Sequence, residues 1–249
     1  MIKKILKKTF NFFGYSLHKK KKHVKQSKPI LDNVFSMESA LVRCVKRGLE
    51  INTVIDVGAS DGRWSNMCMN IFPKASYILV EAQPEHEEGL LEFKNENPNI
   101  DYILAAAGKK NGTIYFDNTE LFSGLATEKK LDENCIEVPM ISLDSEIKKR
   151  NLDGPYLLKL DTHGFEIPIL EGAKELIKKA ELIIIETYNY KLTDDSLKYY
   201  EMCSYMEGLG FSSIEMVDFM RRKYDDSFWQ MDTFFIPSSS KEFTYNSYS

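Results

Sequence analysis

Apolar residues gather in short runs separated by amphipathic stretches. Thr53–Val57, Ser76–Glu81 (SYILVE), Ile100–Ala107, Tyr156–Asp161 (YLLKLD) and Leu182–Thr187 (LIIIET) are aliphatic with little alternation. That pattern predicts strands buried on both faces, as in parallel sheets. Helical spacing fills the gaps. Ser36 predicts a cap for a helix to about Leu49, with Met37, Ala40, Leu41, Cys44 and Val45 on one face. Further helices are predicted from Arg63 to Phe72, from Pro84 onward, over Phe165–Lys179, and over Thr193–Leu209 with Thr193 as cap. Strand alternates with helix across crossover-length connections, which predicts a doubly wound parallel α/β sheet. Phe211–Val217 and Met231–Ile236 read as a closing antiparallel pair.

The middle breaks the rhythm. Asn111-Gly112 is a turn signal. Short strands at Thr113–Phe116 and Ile136–Ile141 flank a loop over Leu121–Lys130, and a helix follows from Leu143 to about Asn151. Such an insert either covers a pocket or extends the sheet, and the pattern alone leaves both open.

Composition narrows the class. Hydrophobic residues make up 43% of the 249, and no apolar run approaches the roughly 20 residues of a membrane span. Cys44, Cys68, Cys135 and Cys203 form no CxxC pair, which points to reduced thiols in a cytoplasmic protein rather than a zinc site. Charge is uneven: residues 1–31 hold ten lysines and no acid, and the chain totals −4, so residues 32–249 carry −14. An acidic body argues against nucleic-acid binding. Residues 1–30 therefore read as a basic segment set apart from a domain over residues 31–240. Within that segment Ile2, Ile5, Leu6, Phe10 and Phe13 recur at helical spacing among lysines. The expectation is a short amphipathic helix in which residues 1–28 touch an anionic membrane surface, here the inner face of the membrane; a solvated tail or a partner contact is the plainer alternative.

Candidate chemistry collects at strand ends, where open α/β sheets bind ligands. The first strand ends in Asp56-Val57-Gly58-Ala59-Ser60-Asp61-Gly62. Glycines four apart permit a tight turn beside a ligand, but they are not the Gly-x-Gly-x-x-Gly of dinucleotide sites. The departure favours S-adenosylmethionine (SAM) over a nicotinamide, with Asp56 and the Gly58–Gly62 turn under its amino-acid end. Glu81, followed by Ala82, closes the second strand, where a carboxylate can hold both ribose hydroxyls. Asp161 and Glu186 close two more and together suit a divalent ion, which prefers oxygen ligands. His163 follows Asp161 by two residues in a turn with Gly164, a side chain suited to taking a proton near neutral pH. Ser123 in the insert loop is a candidate contact to substrate or cofactor. Each acid also suits a helix or turn cap, and each of His163 and Ser123 an ordinary turn hydrogen bond.

TVIDVGASDG at residues 53–62, Val80-Glu81 and above all Leu158–Ala173 (LKLDTHGFEIPILEGA) closely resemble the FkbM family of SAM-dependent methyltransferases, with LIIIET and MDTFFI also fitting. The resemblance spans about residues 50–237. It implies a Rossmann-like class I fold: a mostly parallel seven-stranded sheet with an antiparallel closing strand and helices on both faces. It implies O-methylation of a hydroxyl, often on a sugar, glycan or polyketide. It places Asp56, Gly58 and Gly62 at the SAM turn, Glu81 on the ribose and Asp161 at the methyl-transfer end, and it singles out Glu166. Many relatives carry an acid where this chain has His163. The competing expectations are a nicotinamide-dependent oxidoreductase and a non-catalytic member that binds SAM or a glycan within a biosynthetic assembly.

Overall fold

The computed structural model describes residues 34–119, 121, 124–130 and 133–248. The basic segment and Ser123 lie outside the described residues. Ser36 caps α1 (Met37–Arg47), its hydroxyl accepting the Ser39 N–H. Met37, Ala40, Leu41 and Cys44 are buried, whereas Val45, assigned by spacing to the same face, is exposed.

Seven strands form the main sheet in the order β10-β11-β9-β8-β1-β2-β3. They are β1 (Thr53–Val57), β2 (Ser76–Glu81), β3 (Ile100–Leu104), β8 (Tyr156–Leu160), β9 (Ala180–Tyr188), β10 (Phe211–Arg221) and β11 (Phe228–Pro237). β3, β2, β1, β8 and β9 run parallel, and β11 is antiparallel to both β9 and β10. The expected closing pair is therefore present. Alternate residues feed two cores. Ile55, Val57, Leu158, Leu160, Ile183 and Ile185 face one side; Val54, Leu157, Leu182, Ile184 and Phe234 face the other. Helices cover both faces: α2 (Arg63–Met69), α3 (Glu87–Glu96, after a 3-10 turn at Pro84–His86), α4 (Leu143–Arg150), α5 (Glu166–Glu171), α6 (Lys174–Ile177) and α7 (Tyr199–Gly208).

Four expectations need correction. The strand Ile100–Ala107 divides: β3 ends at Leu104, and Ala106–Ala107 leave as β4 for a second sheet. That sheet, β4-β7-β5-β6, is built from the insert with β5 (Gly112–Asp117), β6 (Leu125–Thr127) and β7 (Cys135–Ile141). It packs its own core around Ile114, Phe116, Ala126 and Val138, so it neither lengthens the main sheet nor stays a loop. The helix Phe165–Lys179 breaks at Gly172-Ala173, where Asp144 intervenes: its N–H donates to the Gly172 carbonyl at 3.0 Å and its carboxylate accepts the Glu175 and Leu176 N–H groups. The helix read as starting at Thr193 starts at Tyr199, behind Lys198 as cap. Thr193 instead closes a turn with Ser196: each hydroxyl accepts the other residue's backbone N–H.

β10 forms one edge of the sheet, and its register shifts at Ser213/Glu215 and twice between Val217 and Arg221. The Phe35 carbonyl accepts the Asp218 N–H at 2.8 Å. Arg43 grips Glu215 through two bonds of 2.8 and 2.7 Å, and Arg47 bonds the same carboxylate.

Candidate active site

Strand order reverses between β1 and β8, which puts a crevice at their carboxyl ends. Backbone bonds continue past the strands there: Gly58 N–H donates to Val80 O at 2.9 Å and Asp161 N–H to Val57 O at 3.0 Å. Gly58 sits at φ +78°, and a Cβ on it would stand 2.0 Å from the Asp161 carbonyl oxygen. Two other residues nearby, Ser60 (φ 51°) and His163 (φ 53°), hold left-handed backbone without being glycine. Strain of this kind persists only where the surroundings impose it, and it concentrates at functional sites.

A cavity of about 470 Å³ opens at this point, within the range of small-molecule sites. Its floor is Gly58, Ala59 and Ser60; Glu81, Ala82 and Gln83 form one wall, and Asp161, Thr162 and His163 another. Phe116, Leu121, Gly124 and Ala126 of the insert cover it. Two histidines tie the cover down: His86 Nε2 lies 2.9 Å from the Leu121 carbonyl, and His163 Nδ1 lies 3.2 Å from the Gly124 carbonyl.

Glu81 accepts backbone N–H groups at both oxygens, from Ser60 at 2.7 Å and Gln83 at 2.8 Å. A carboxylate oxygen has two lone pairs, so each keeps one for a ligand hydroxyl. Gly62 caps α2 at the end of the turn. On α2 the Trp64 indole N–H is buried in the cavity wall without a partner among the described residues. An orphaned donor beside a bare-backbone turn fits a ligand that brings an acceptor of its own.

The structure separates some expected partners. Asp56 is not in the cavity wall; it is buried beneath the turn, where its carboxylate accepts the Ser65 hydroxyl at 2.7 Å. Desolvation pushes it up to about 7. Glu166 is also buried outside the lining. It accepts the Gly164 N–H at 2.9 Å and the Thr162 hydroxyl at 3.1 Å, and so braces the His163 turn. Burial raises its carboxyl.

Asp161, His163 and Glu186 do come together. His163 Nε2 lies 3.9 Å from Asp161 Oδ1 and 3.7 Å from Glu186 Oε2. Glu186 is further held by the Tyr188 hydroxyl and the Gln230 amide. Burial and the neighbouring Asp161 charge push Glu186 up to about 9. Burial works in the same direction on Asp161, but the Lys159 ammonium and His163 outweigh it and hold that carboxyl below the usual range.

Lys159 and Asp232 were not singled out from the sequence. Lys159 is 2% exposed, with Nζ 3.0 Å from Asp161 Oδ2 and 3.1 Å from Asp232 Oδ1. Its signal was a lysine inside an aliphatic strand, which is tolerable only beside buried carboxylates. Strand register supplies them: Asp232 pairs with Glu186.

A seven-stranded sheet with one reversed strand, a glycine turn after β1, an acid ending β2 and an acid directly after β8 give the class I methyltransferase fold. The profile of the Methyltransferase FkbM domain matches residues 56–213, and the chain belongs to that family. It is similar to the hexuronic acid methyltransferase AglP of Haloferax volcanii, 23% identical over 153 residues that cover 61% of this chain and 62% of that protein. The match thus takes in less than two thirds of the relative. Among solved structures, the FkbM methyltransferase from Methylobacillus flagellatus KT is 14% identical with a TM-score of 0.49, over 73% of this chain and 43% of that one. The fibrillarin of Aeropyrum pernix, solved with natively bound SAM, is 14% identical with a TM-score of 0.43, over 81% and 76%. No helix among the described residues is long and apolar enough to cross a membrane.

Proposed function

We propose that the cavity binds SAM and that the protein methylates a hydroxyl group on a sugar or glycan. The observation that carries it is one cavity with two chemically different ends: the Glu81 carboxylate at one, the Asp161–His163 turn at the other. Bound there, SAM would supply a methyl group on a positively charged sulfur. In this reading Glu81 holds the ribose hydroxyls, Gly58 and Ala59 make close backbone contact, and Trp64 Nε1 donates to an acceptor on the amino-acid end. Asp161 and His163 face the acceptor hydroxyl, which must lose its proton as the new C–O bond forms. Much of the acceleration would come from holding the two partners in line. The relative that acts on a hexuronic acid supports a carbohydrate acceptor. Adsorption of residues 1–28 to an anionic membrane belongs to the same proposal and suits a lipid-linked or surface glycan. Deleting those residues should abolish sedimentation with anionic vesicles, and unchanged sedimentation would remove that part.

Thermal stability with S-adenosylhomocysteine, SAM and NAD in parallel tests the cofactor, since a ligand that binds only the folded state raises its stability. A rise with the two adenosyl compounds alone is expected, and a rise with NAD alone would refute methyl transfer. A screen of uronic acids and glycans with labelled methyl donor tests the acceptor. No transfer to any acceptor despite tight cofactor binding would favour a non-catalytic binding role. Near-wild-type turnover by both Asp161→Ala and His163→Ala would refute the roles given to those residues.

A further inference from the structure

We infer that Asp161, His163 and Glu186 form a binding site for one divalent transition-metal cation of the Mn²⁺ type. The ion's role at this site rests on methyl transfer there, but its presence does not.

The first observation is convergence. Asp161 Oδ1, His163 Nε2 and Glu186 Oε2 come from the ends of two adjacent strands and one turn, and one ligand atom from each lies within 4.8 Å of the others. Two ligands about 2.2 Å from a shared ion can stand up to about 4.4 Å apart, and the 3.7 and 3.9 Å separations from His163 fall within that reach.

The second observation is how the opposite side of each ligand is held. A carbonyl only accepts, so the contact of His163 Nδ1 with Gly124 O puts the ring proton on Nδ1 and leaves the Nε2 lone pair facing the two carboxylates. Asp161 turns Oδ2 to Lys159, which leaves Oδ1 inward. Glu186 has Oε1 on the Gln230 amide, and its Oε2 accepts the Tyr188 hydroxyl with one lone pair, which leaves the other for an ion. Ligands oriented by partners on their far atoms are the usual mark of a metal site. These partners, a backbone carbonyl, a buried ammonium and an amide, all lie outside the trio.

Charge points the same way. Asp161, Glu186 and Asp232 crowd one row of the sheet with Lys159 as the buried cation among them. A cation would offset the remainder. One imidazole with two carboxylates suits Mn²⁺ better than the all-oxygen preference of Mg²⁺. Asp161 and His163 line the cavity, so open positions on the ion would face the acceptor. A hydroxyl bound there would lose its proton to water more readily, as metal-bound water does.

The full chain, stripped with EDTA and titrated with MnCl₂ while free Mn²⁺ is followed by electron paramagnetic resonance, provides the test. One saturable site per chain is expected, with affinity weakened at least tenfold in Glu186→Gln and in His163→Asn. Asparagine tolerates the left-handed backbone at position 163. Spin-echo spectra of the wild-type complex should show a directly bound nitrogen, which needs no variant to fold. Absence of saturable binding, absence of the nitrogen coupling, or equal affinity in folded variants would overturn the site. S-adenosylhomocysteine titrations by calorimetry on the same samples separate the two proposals. Nucleoside binding without Mn²⁺ binding removes the ion alone, and the converse removes the cofactor assignment alone.

Discussion

Replacing Lys159 with methionine isolates the charge that holds the site together. Methionine fills a similar volume, so the perturbation is electrical. It leaves Asp232, whose side chain is 15% exposed, without the ammonium at 3.1 Å, and Asp161 without the one at 3.0 Å. Removing one member of a buried ion pair costs about 3–5 kcal/mol. Asp161 is 38% exposed toward the cavity, so water tempers its share and the lower end, about 3 kcal/mol, applies. That is a large part of the 5–15 kcal/mol of a typical domain. The loss must depend on pH. Burial already raises Asp232 above the ordinary value, with Lys159 opposing, and without Lys159 it rises further. A carboxyl whose folded pKa exceeds its unfolded one contributes least at high pH. Stability falls as pH climbs from the unfolded value through the folded one. Urea unfolding followed by tryptophan fluorescence at about pH 8 and about pH 5 measures both effects. The deficit of Lys159→Met should be largest at the higher pH and shrink at the lower, and adding Asp232→Asn should restore much of it. An equal deficit at both pH values, or strictly additive losses in the double variant, would refute the reasoning.

Gly58→Ala should lower the melting temperature by more than about 4 °C, because left-handed backbone alone costs about 1–2 kcal/mol and the Asp161 carbonyl blocks the new methyl; an unchanged melt would mean the turn is not built as described. Glu81→Gln keeps the shape but gives up one acceptor, and calorimetry should show S-adenosylhomocysteine bound about tenfold more weakly, about 1.4 kcal/mol. Asp56→Asn should leave that affinity unchanged while making stability about 2–3 kcal/mol less sensitive to pH between about 5 and 8. The unfolded carboxyl ionises near 3.8 whereas the buried one keeps its proton to about 7, so the wild type loses stability across that window as pH rises. Weaker nucleoside binding by Asp56→Asn would show instead that this carboxylate reaches the cofactor.

The strands were legible because burial on both faces of a parallel sheet leaves almost no polar residue inside them. The acids that interrupt this pattern at Glu81, Asp161 and Glu186 were legible for the same reason. Asp56 has the same local signature, but the pleat turns it to the underside, where Ser65 meets it. Only the three-dimensional path of the turn after Val57 reveals that difference. The role of Lys159 is not legible locally, because its partner Asp232 lies far along the chain and register alone brings it near. The break at Gly172 is hidden because nothing local opposes a continuous helix there; the competing partner is Asp144, far along the chain. Likewise Thr193 had every credential of a helix cap, and Ser196 captured it in a turn.

The outer strand of the main sheet carries a further consequence, for association between chains. An unpaired strand edge is a template for another copy, and natural sheets blunt such edges with bulges or covers. Here β10 has both: its register slips three times, and the Phe35 carbonyl occupies the Asp218 N–H. Residues 34–36, just ahead of α1, therefore act as a stopper on the sheet. A chain shortened to begin at Met37 would keep every residue that lines the cavity yet expose that donor and the flank of Phe219, and it should self-associate at concentrations where a chain beginning at Val34 stays monodisperse.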